Sequence, residues 1–234
     1  MADSALGYSL DEPLAVLRLD DGKANALSHA AIDALHAALD RAEKEAGAVC
    51  LLGRPGRFCA GFDLAVMRSG PEPMRRLVTA GAELLLRMAV HPLPIAIGCT
   101  GHALAAGALL LLAADSRTGA RGEFKIGLNE VAIGMPLPVF AYELARERLS
   151  KRHWLRATAQ AELYAPEAAV DAGYLDAVCE PSALAETALS EARRMAELPQ
   201  PAFRRTKAAV RGGLVAEIRA TLAEDMARLA GPKA

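Results

Sequence analysis

Residues 103–114, ALAAGALLLLAA, carry no charged or polar side chain for twelve positions. A helix built from them is apolar on every side, so it has no face to offer to water. It is also far short of the roughly 18 apolar residues that a membrane span needs. The remaining solution is a helix wrapped on all sides by other elements of a soluble fold. PIAIGCTG, at 94–101, precedes it and reads as a buried strand, which makes this strand and helix the centre of the molecule.

The rest of the chain can be arranged around that centre. LAVLRLD, at 14–20, alternates as a strand buried on one face does, and DGKAN follows as turn chemistry that begins a hairpin or a crossover. Ser28 precedes Ile32, Leu35, Leu39 and Ala42 at helical spacing, with Gly47 past the end, which predicts a capped amphipathic helix. AVCLLG at 48–53 is a second strand, and RPGRFCAGFDL a loop. GPEP at 70–73 breaks the chain before a helix over Met74 to Ala89, which HPLP then ends.

Further on, DSRTGA and EFKIG read as a strand pair, and 138–149 and 151–160 as helices. Pro166 and Gly173 bracket a short helix before the strand YLDAVC. From Ser182 the composition is helical, with breaks expected at Pro199, Pro201 and Gly212-Gly213. Alternating strands and helices followed by a helical tail predict an α/β layer structure with a C-terminal arm that packs on a neighbouring subunit.

Composition removes several function classes. The chain has 234 residues, with 27 Lys and Arg against 28 Asp and Glu, so no net field holds a polyanion and a dedicated nucleic-acid binder is disfavoured. Four separated cysteines, Cys50, Cys59, Cys99 and Cys179, form no C-x-x-C pair, and His29, His36, His91 and His153 lack ligand spacing, so neither a disulfide framework nor a metal is expected. MADSALGYSLDEP has acids and no basic stretch ahead of an apolar run, which reads as a cytoplasmic protein with no membrane partner.

Three segments can hold chemistry. Phe58 to Leu64, FCAGFDL, has the small residues of a sharp turn whose backbone N–H groups stay accessible. Gly101 to Gly107, GHALAAG, lies between a strand and the apolar helix, where free N–H groups and the helix dipole hold a negative oxygen. Facing each other, the two turns would make an oxyanion hole; each alone is also common for packing reasons. Lys125 to Pro136 contains Glu130 followed by apolar residues. On residues alone, Glu130 reads either as a buried base of raised pKa or as a solvated helix-start acid beside Asn129. Cys59 has no neighbouring histidine to make it a thiolate, His102 either touches substrate or packs, and Asp63 and Asp115 read as caps of local backbone.

FCAGFDL, TGHALAAGALLLLAAD and FKIGLNEVAIG together, in this order and spacing, resemble the crotonase superfamily, the enoyl-CoA hydratase/isomerase family, from about Leu14 to Val178. The resemblance implies an α/β fold that is a ClpP-like spiral of ββα units over residues 1–180, and a C-terminal helical region at 181–234 that joins trimers or hexamers. It also implies an acyl-CoA thioester substrate and no cofactor, coenzyme A being part of the substrate. By the family pattern the oxyanion-hole N–H groups belong to Phe62 and Ala106. Lys23 resembles the basic residue that meets CoA phosphates, with the Ala24 backbone along the adenine side, and Ala60 is a further expected substrate-binding residue. Lys207 resembles the C-terminal basic residue that approaches the CoA 3′-phosphate. For the acyl pocket the expected residues are Phe62, Leu64, Met67, Met74, Leu77, Leu109, Val131 and Met135.

One departure shapes the expected reaction. The family's hydratases resemble one another in carrying two glutamates, and here the first of those positions is Leu109 while the second is Glu130. A lone carboxylate serves a double-bond shift better than water addition, and the motif is closest to the Δ3-Δ2-enoyl-CoA isomerases. A hydratase using Glu130, alone or with Glu83 or Glu143, or another crotonase-type lyase using Glu130, is the alternative. A non-catalytic homologue that binds acyl-CoA or RNA rests on the basic cluster Arg204, Arg205, Lys207 and Arg211.

Overall fold

A computed structural model describes residues 6–229 of the chain. The first five residues, on which the reading of the N-terminus rests in part, and the last five of the C-terminal region lie outside the described residues. The order is β1 (Leu6–Asp11), β2 (Leu14–Leu19), α1 (His29–Glu45), β3 (Ala48–Leu52), β4 (Gly56–Cys59), α2 (Leu64–Arg68) and α3 (Pro71–Ala89). Then come β5 (Ile95–Cys99), β6 (Gly101–Leu104), α4 (Ala106–Ala113), β7 (Ser116–Ala120), β8 (Ile126–Gly127) and a single 3-10 turn at Val131–Ile133. The chain ends with α5 (Val139–Arg148), α6 (Lys151–Ala157), α7 (Pro166–Ala172), β9 (Ala177–Cys179), α8 (Leu184–Ala196) and α9 (Gln200–Arg228).

Two sheets organise these elements. The larger runs β1-β2-β3-β5-β7-β9, antiparallel at β1–β2 and parallel elsewhere, and the smaller runs β4-β6-β8 and is parallel throughout. After the β1–β2 hairpin, three successive pairs, β3/β4, β5/β6 and β7/β8, each give their first member to the large sheet and their second to the small one before one or more helices return the chain. That repeat is the ββα spiral. Helix α4 lies at its centre, with all eight residues buried, as its sequence requires.

Several local expectations change in this setting. The alternation in β2 misleads, because Leu14, Ala15, Val16 and Leu17 are all buried: α1 covers one face of the sheet, while Ala188, Ala192 and Met195 of α8 pack with Leu14 and Val16 on the other. The two strands expected to pair, β7 and β8, belong to different sheets. Gly56–Cys59 lies in what reads as a loop, and Gly101–Leu104 in what reads as a strand-to-helix turn, yet both are strands, paired with each other. Their pairing, which lies far apart in sequence, overrides their glycines.

Helix ends also shift for simple reasons. Ser28 caps α1 by accepting the Ala31 N–H at 3.2 Å, and Gly173 ends α7 in a left-handed conformation, both as expected. Helix α3 starts at Pro71 rather than Met74, since prolines in a first turn remove only N–H groups that have no helical partner. By the same argument Pro201 lies in the first turn of α9, and Gly212-Gly213 do not interrupt it. Neighbouring buried side chains Lys207, Arg211, Val215 and Ile218 hold that stretch helical, so the C-terminal arm folds back on the core of its own chain. Among the described residues, no helix is long and apolar enough to cross a membrane.

Candidate active site

The small sheet brings the three motifs together. Its strands are parallel, with Cys59 opposite Ala103 in one pairing and Leu104 opposite Gly127 in the other. The segments that follow each strand, 60–63, 105–107 and 128–130, therefore leave the sheet at its carboxyl edge, where a parallel α/β arrangement places a ligand.

Contacts lock these turns against each other. Gly61 has a φ of +95°, and a Cβ there would lie 2.9 Å from the Ala105 Cβ and 3.4 Å from the Ala106 nitrogen, so only glycine permits the approach. At Gly107 a Cβ would come within 2.1 Å of the Cys59 carbonyl oxygen, so the start of α4 touches β4 directly. Leu27 holds the first turn from the other side, donating to the Gly61 carbonyl at 2.8 Å and accepting the Asp63 N–H at 3.1 Å. Buried Asn25, also left-handed, fixes the preceding loop by donating to the carbonyls of Leu19, Arg57 and Phe58. Sequence reasoning missed Asn25; its place in the turn-forming DGKAN was the available signal.

Ala105 caps α4 with φ 51° and ψ −124°, a conformation rarely adopted by a residue with a side chain. Such strain costs roughly 1–3 kcal/mol and persists where surrounding packing imposes it. Here it turns the chain so that α4 begins without a side-chain cap. Among the described residues, the N–H groups of Phe62 and Ala106 have no hydrogen-bond acceptor.

A cavity of about 730 Å³ opens beside these turns, within the range of about 300–1,000 Å³ typical of small-molecule sites. Ala60, Phe62, Leu104, Ala105, Leu109, Asn129 and Glu130 line one part; Leu64, Met67, Val78, Met135, Phe140 and Leu229 are among its apolar remainder. Met74 and Leu77, expected here, are instead fully buried core residues, and Val131 lies exposed outside the lining. Val78, Phe140 and Leu229 were not anticipated, since their helices converge only in the tertiary structure.

Glu130 is 9% exposed, which removes the reading of a solvated helix-start acid. Among the described residues its Oε2 is buried without a hydrogen-bond partner, as is the Oδ1 of the preceding Asn129. Desolvation lifts the carboxyl pKa to about 7, outweighing the backbone N–H groups of Glu130 and Asn129, which pull it down. Among the described residues it is the one carboxylate lining the cavity. Glu83 pairs instead with Arg219 at 3.0 Å, and Glu143 with Arg146. Neither reaches the site.

The remaining candidates separate cleanly. Lys23 is exposed, and the Ala24 carbonyl accepts the Ala60 N–H at 3.1 Å, so this loop borders the cavity. Lys207 requires correction: it is 7% exposed and donates to Asp115 Oδ2 at 2.6 Å in the interior, so in this fold it presents no charge to a phosphate. Arg211 is buried beside it, which leaves the basic cluster with half its charges facing inward. Burial raises the Cys59 thiol to about 12, an inert state. His102 accepts the Lys125 N–H at 3.0 Å and packs edge-on to Phe124, outside the cavity lining. Asp63 caps α2 through the Ala65 N–H, and Asp115 binds the Ile95 N–H, each at 2.8 Å.

Comparison with known proteins agrees with this arrangement. The family model described as enoyl-CoA hydratase/isomerase matches residues 10–229. A crystal structure of an enoyl-CoA hydratase/isomerase family protein from Pseudomonas syringae is 43% identical with a TM-score of 0.94, covering 97% of this chain and 98% of that one. The mitochondrial enoyl-CoA delta isomerase 1 of Homo sapiens is 29% identical over 203 residues, 85% of this chain and 67% of the relative. A probable enoyl-CoA hydratase of Bacillus subtilis is 33% identical over 142 residues, 59% of this chain and 54%, about half, of that protein's length. With the three motifs at one sheet edge and the family match running through all of them, the chain belongs to the enoyl-CoA hydratase/isomerase family of the crotonase superfamily.

Proposed function

We propose that the protein shifts the double bond of a 3-enoyl-CoA to give the 2-enoyl-CoA. The observation that carries this reading is Glu130: a buried carboxylate with a pKa near 7 and one oxygen that has no partner among the described residues, at a cavity in which Leu109 occupies the place of a second acid. In a 3-enoyl thioester the C2 proton is acidified by the carbonyl and by the neighbouring double bond. Its removal by Glu130 gives a dienolate whose charge resides on the thioester oxygen. The free N–H groups of Phe62 and Ala106 are the donors for that oxygen, and one such donor contributes roughly 3–4 kcal/mol to lowering a barrier. The protonated Glu130 then returns its proton at C4, on the same side of the extended chain. A base with a pKa near the working pH suits both steps. Lys23 and the Ala24 backbone, beside Ala60, are the proposed contacts of the CoA portion, and the chain acts as a homotrimer or hexamer in the cytoplasm.

Water addition is a second reading, favoured by the buried Asn129 Oδ1, which together with Glu130 offers two acceptors to a water, and by the name of the B. subtilis relative. Supplying 3-enoyl-CoA and 2-enoyl-CoA separately distinguishes them through the absorbance of the conjugated thioester. Absorbance that grows from the 3-enoyl substrate and persists with the 2-enoyl one is the expected result. Rapid loss of the 2-enoyl absorbance overturns the isomerase reading.

A further inference from the structure

The cavity has two unlike parts. Its reacting end comes from the small sheet and the start of α4, while Met67, Val78, Phe140, Ala141 and Leu229 come from helices α2, α3, α5 and the tip of α9. If the thioester oxygen lies at the Phe62 and Ala106 amides, the alkyl tail runs toward this helical wall, flanked by Ile133, Met135 and Pro138 of the segment before α5. Four of its five members sit within helices, whose backbones are fixed by their own hydrogen bonds. Leu229 is the exception: it follows the last residue of α9, retains one backbone bond to the Met226 carbonyl at 3.2 Å, and is nevertheless buried.

Two long-range bonds hold that tip in place. Asp225 accepts the Val139 N–H at 2.7 Å, capping the start of α5, which has no side-chain cap of its own. Arg75 of α3 donates to the Ala227 carbonyl at 2.8 Å. The tip is thereby tied to the two helices that supply Val78 and Phe140.

We infer that Leu229, positioned by Asp225, sets the length of acyl chain the pocket accepts. This rests on the acyl-thioester reading above. Each methylene buried before the wall adds about fourfold in affinity, the ~0.8 kcal/mol of apolar transfer, and methylenes beyond the wall add nothing.

The test is calorimetric binding of hexanoyl-, decanoyl- and tetradecanoyl-CoA to the full chain and to Leu229→Ala, Leu229→Phe and Asp225→Ala. The ratio of tetradecanoyl to hexanoyl affinity should rise about tenfold in Leu229→Ala and fall about tenfold in Leu229→Phe. Asp225→Ala, which frees the tip without altering a lining side chain, should shift the ratio in the Leu229→Ala direction. An unchanged ratio in both Leu229 variants overturns the assignment. Failure of all three thioesters to bind the unaltered chain overturns the acyl-thioester reading itself, a result distinct from the first.

Discussion

Helix α4 is buried along its whole length, yet its two ends are treated oppositely. At the carboxyl end Arg211 donates to the Ala113 carbonyl at 3.0 Å and to Ala114 at 3.4 Å, and Arg148 donates to the Leu112 carbonyl at 3.2 Å and also to Ala114. Lys207, Asp115 and Glu147 complete an ionic cluster around these groups. Burial pulls the Lys207 ammonium's pKa down, while the adjacent Asp115 opposes that pull. At the amide end, among the described residues, the Ala106 N–H has no partner, the cap residue is strained, and Glu130 keeps an unpaired buried oxygen. A buried polar group without a partner costs about 1–3 kcal/mol, and a charged one more. One end is satisfied, as structural polar groups are. The other retains a destabilised arrangement, the kind that clusters at functional sites, and it is the end the proposed reaction uses.

The sharpest test of this contrast is Glu130→Gln. It should lower kcat by about a thousandfold, within the range for loss of a general base, while saturated acyl-CoA affinity stays within about threefold. In the unaltered protein kcat/KM should rise with pH around a midpoint near 7, since the base works only when ionised. Stability should move the opposite way. Because the folded state holds the Glu130 proton that the unfolded chain has released, stability declines as pH climbs from the ordinary carboxylate range toward 7, and Glu130→Gln removes that slope. Urea titrations at several pH values measure it; activity that survives the substitution removes Glu130 from the reaction.

Arg211→Met probes the opposite end. Removing one partner of a buried ionic cluster costs about 3–5 kcal/mol, so the urea midpoint should fall sharply while kcat of the folded enzyme holds. A loss of kcat without loss of stability would erase the distinction between the two ends. Lys23→Ala should have the smallest effect, raising KM about threefold with kcat unchanged, as expected for one solvated lysine near a phosphate. Steady-state kinetics at low and moderate salt read it directly.

Much of this was legible in residue types. The apolar run at 103–114 placed α4 at the centre, Ser28 and Gly173 marked helix ends, and Leu109 beside a lone Glu130 framed the chemistry. Other features were hidden because their causes lie far away in the chain. Helix α8 covers the outer face of β2, so its alternating pattern does not report its burial. Lys207 looked like a surface cation until α9 folded back over Asp115, and Gly212-Gly213 looked like a helix break until the same packing held them. Leu229 is separated from Val78 and Phe140 by long stretches of sequence.

Local chemistry by itself determined where glycine allows close approach, which helix has no wet face, and which segment carries a single acid. The tertiary structure alone decided that three strand ends share one edge, that Glu130 loses its water and Lys207 gains a buried partner. Burial and long-range pairing set a group's charge state and reach, and neither is a property of its neighbours along the chain.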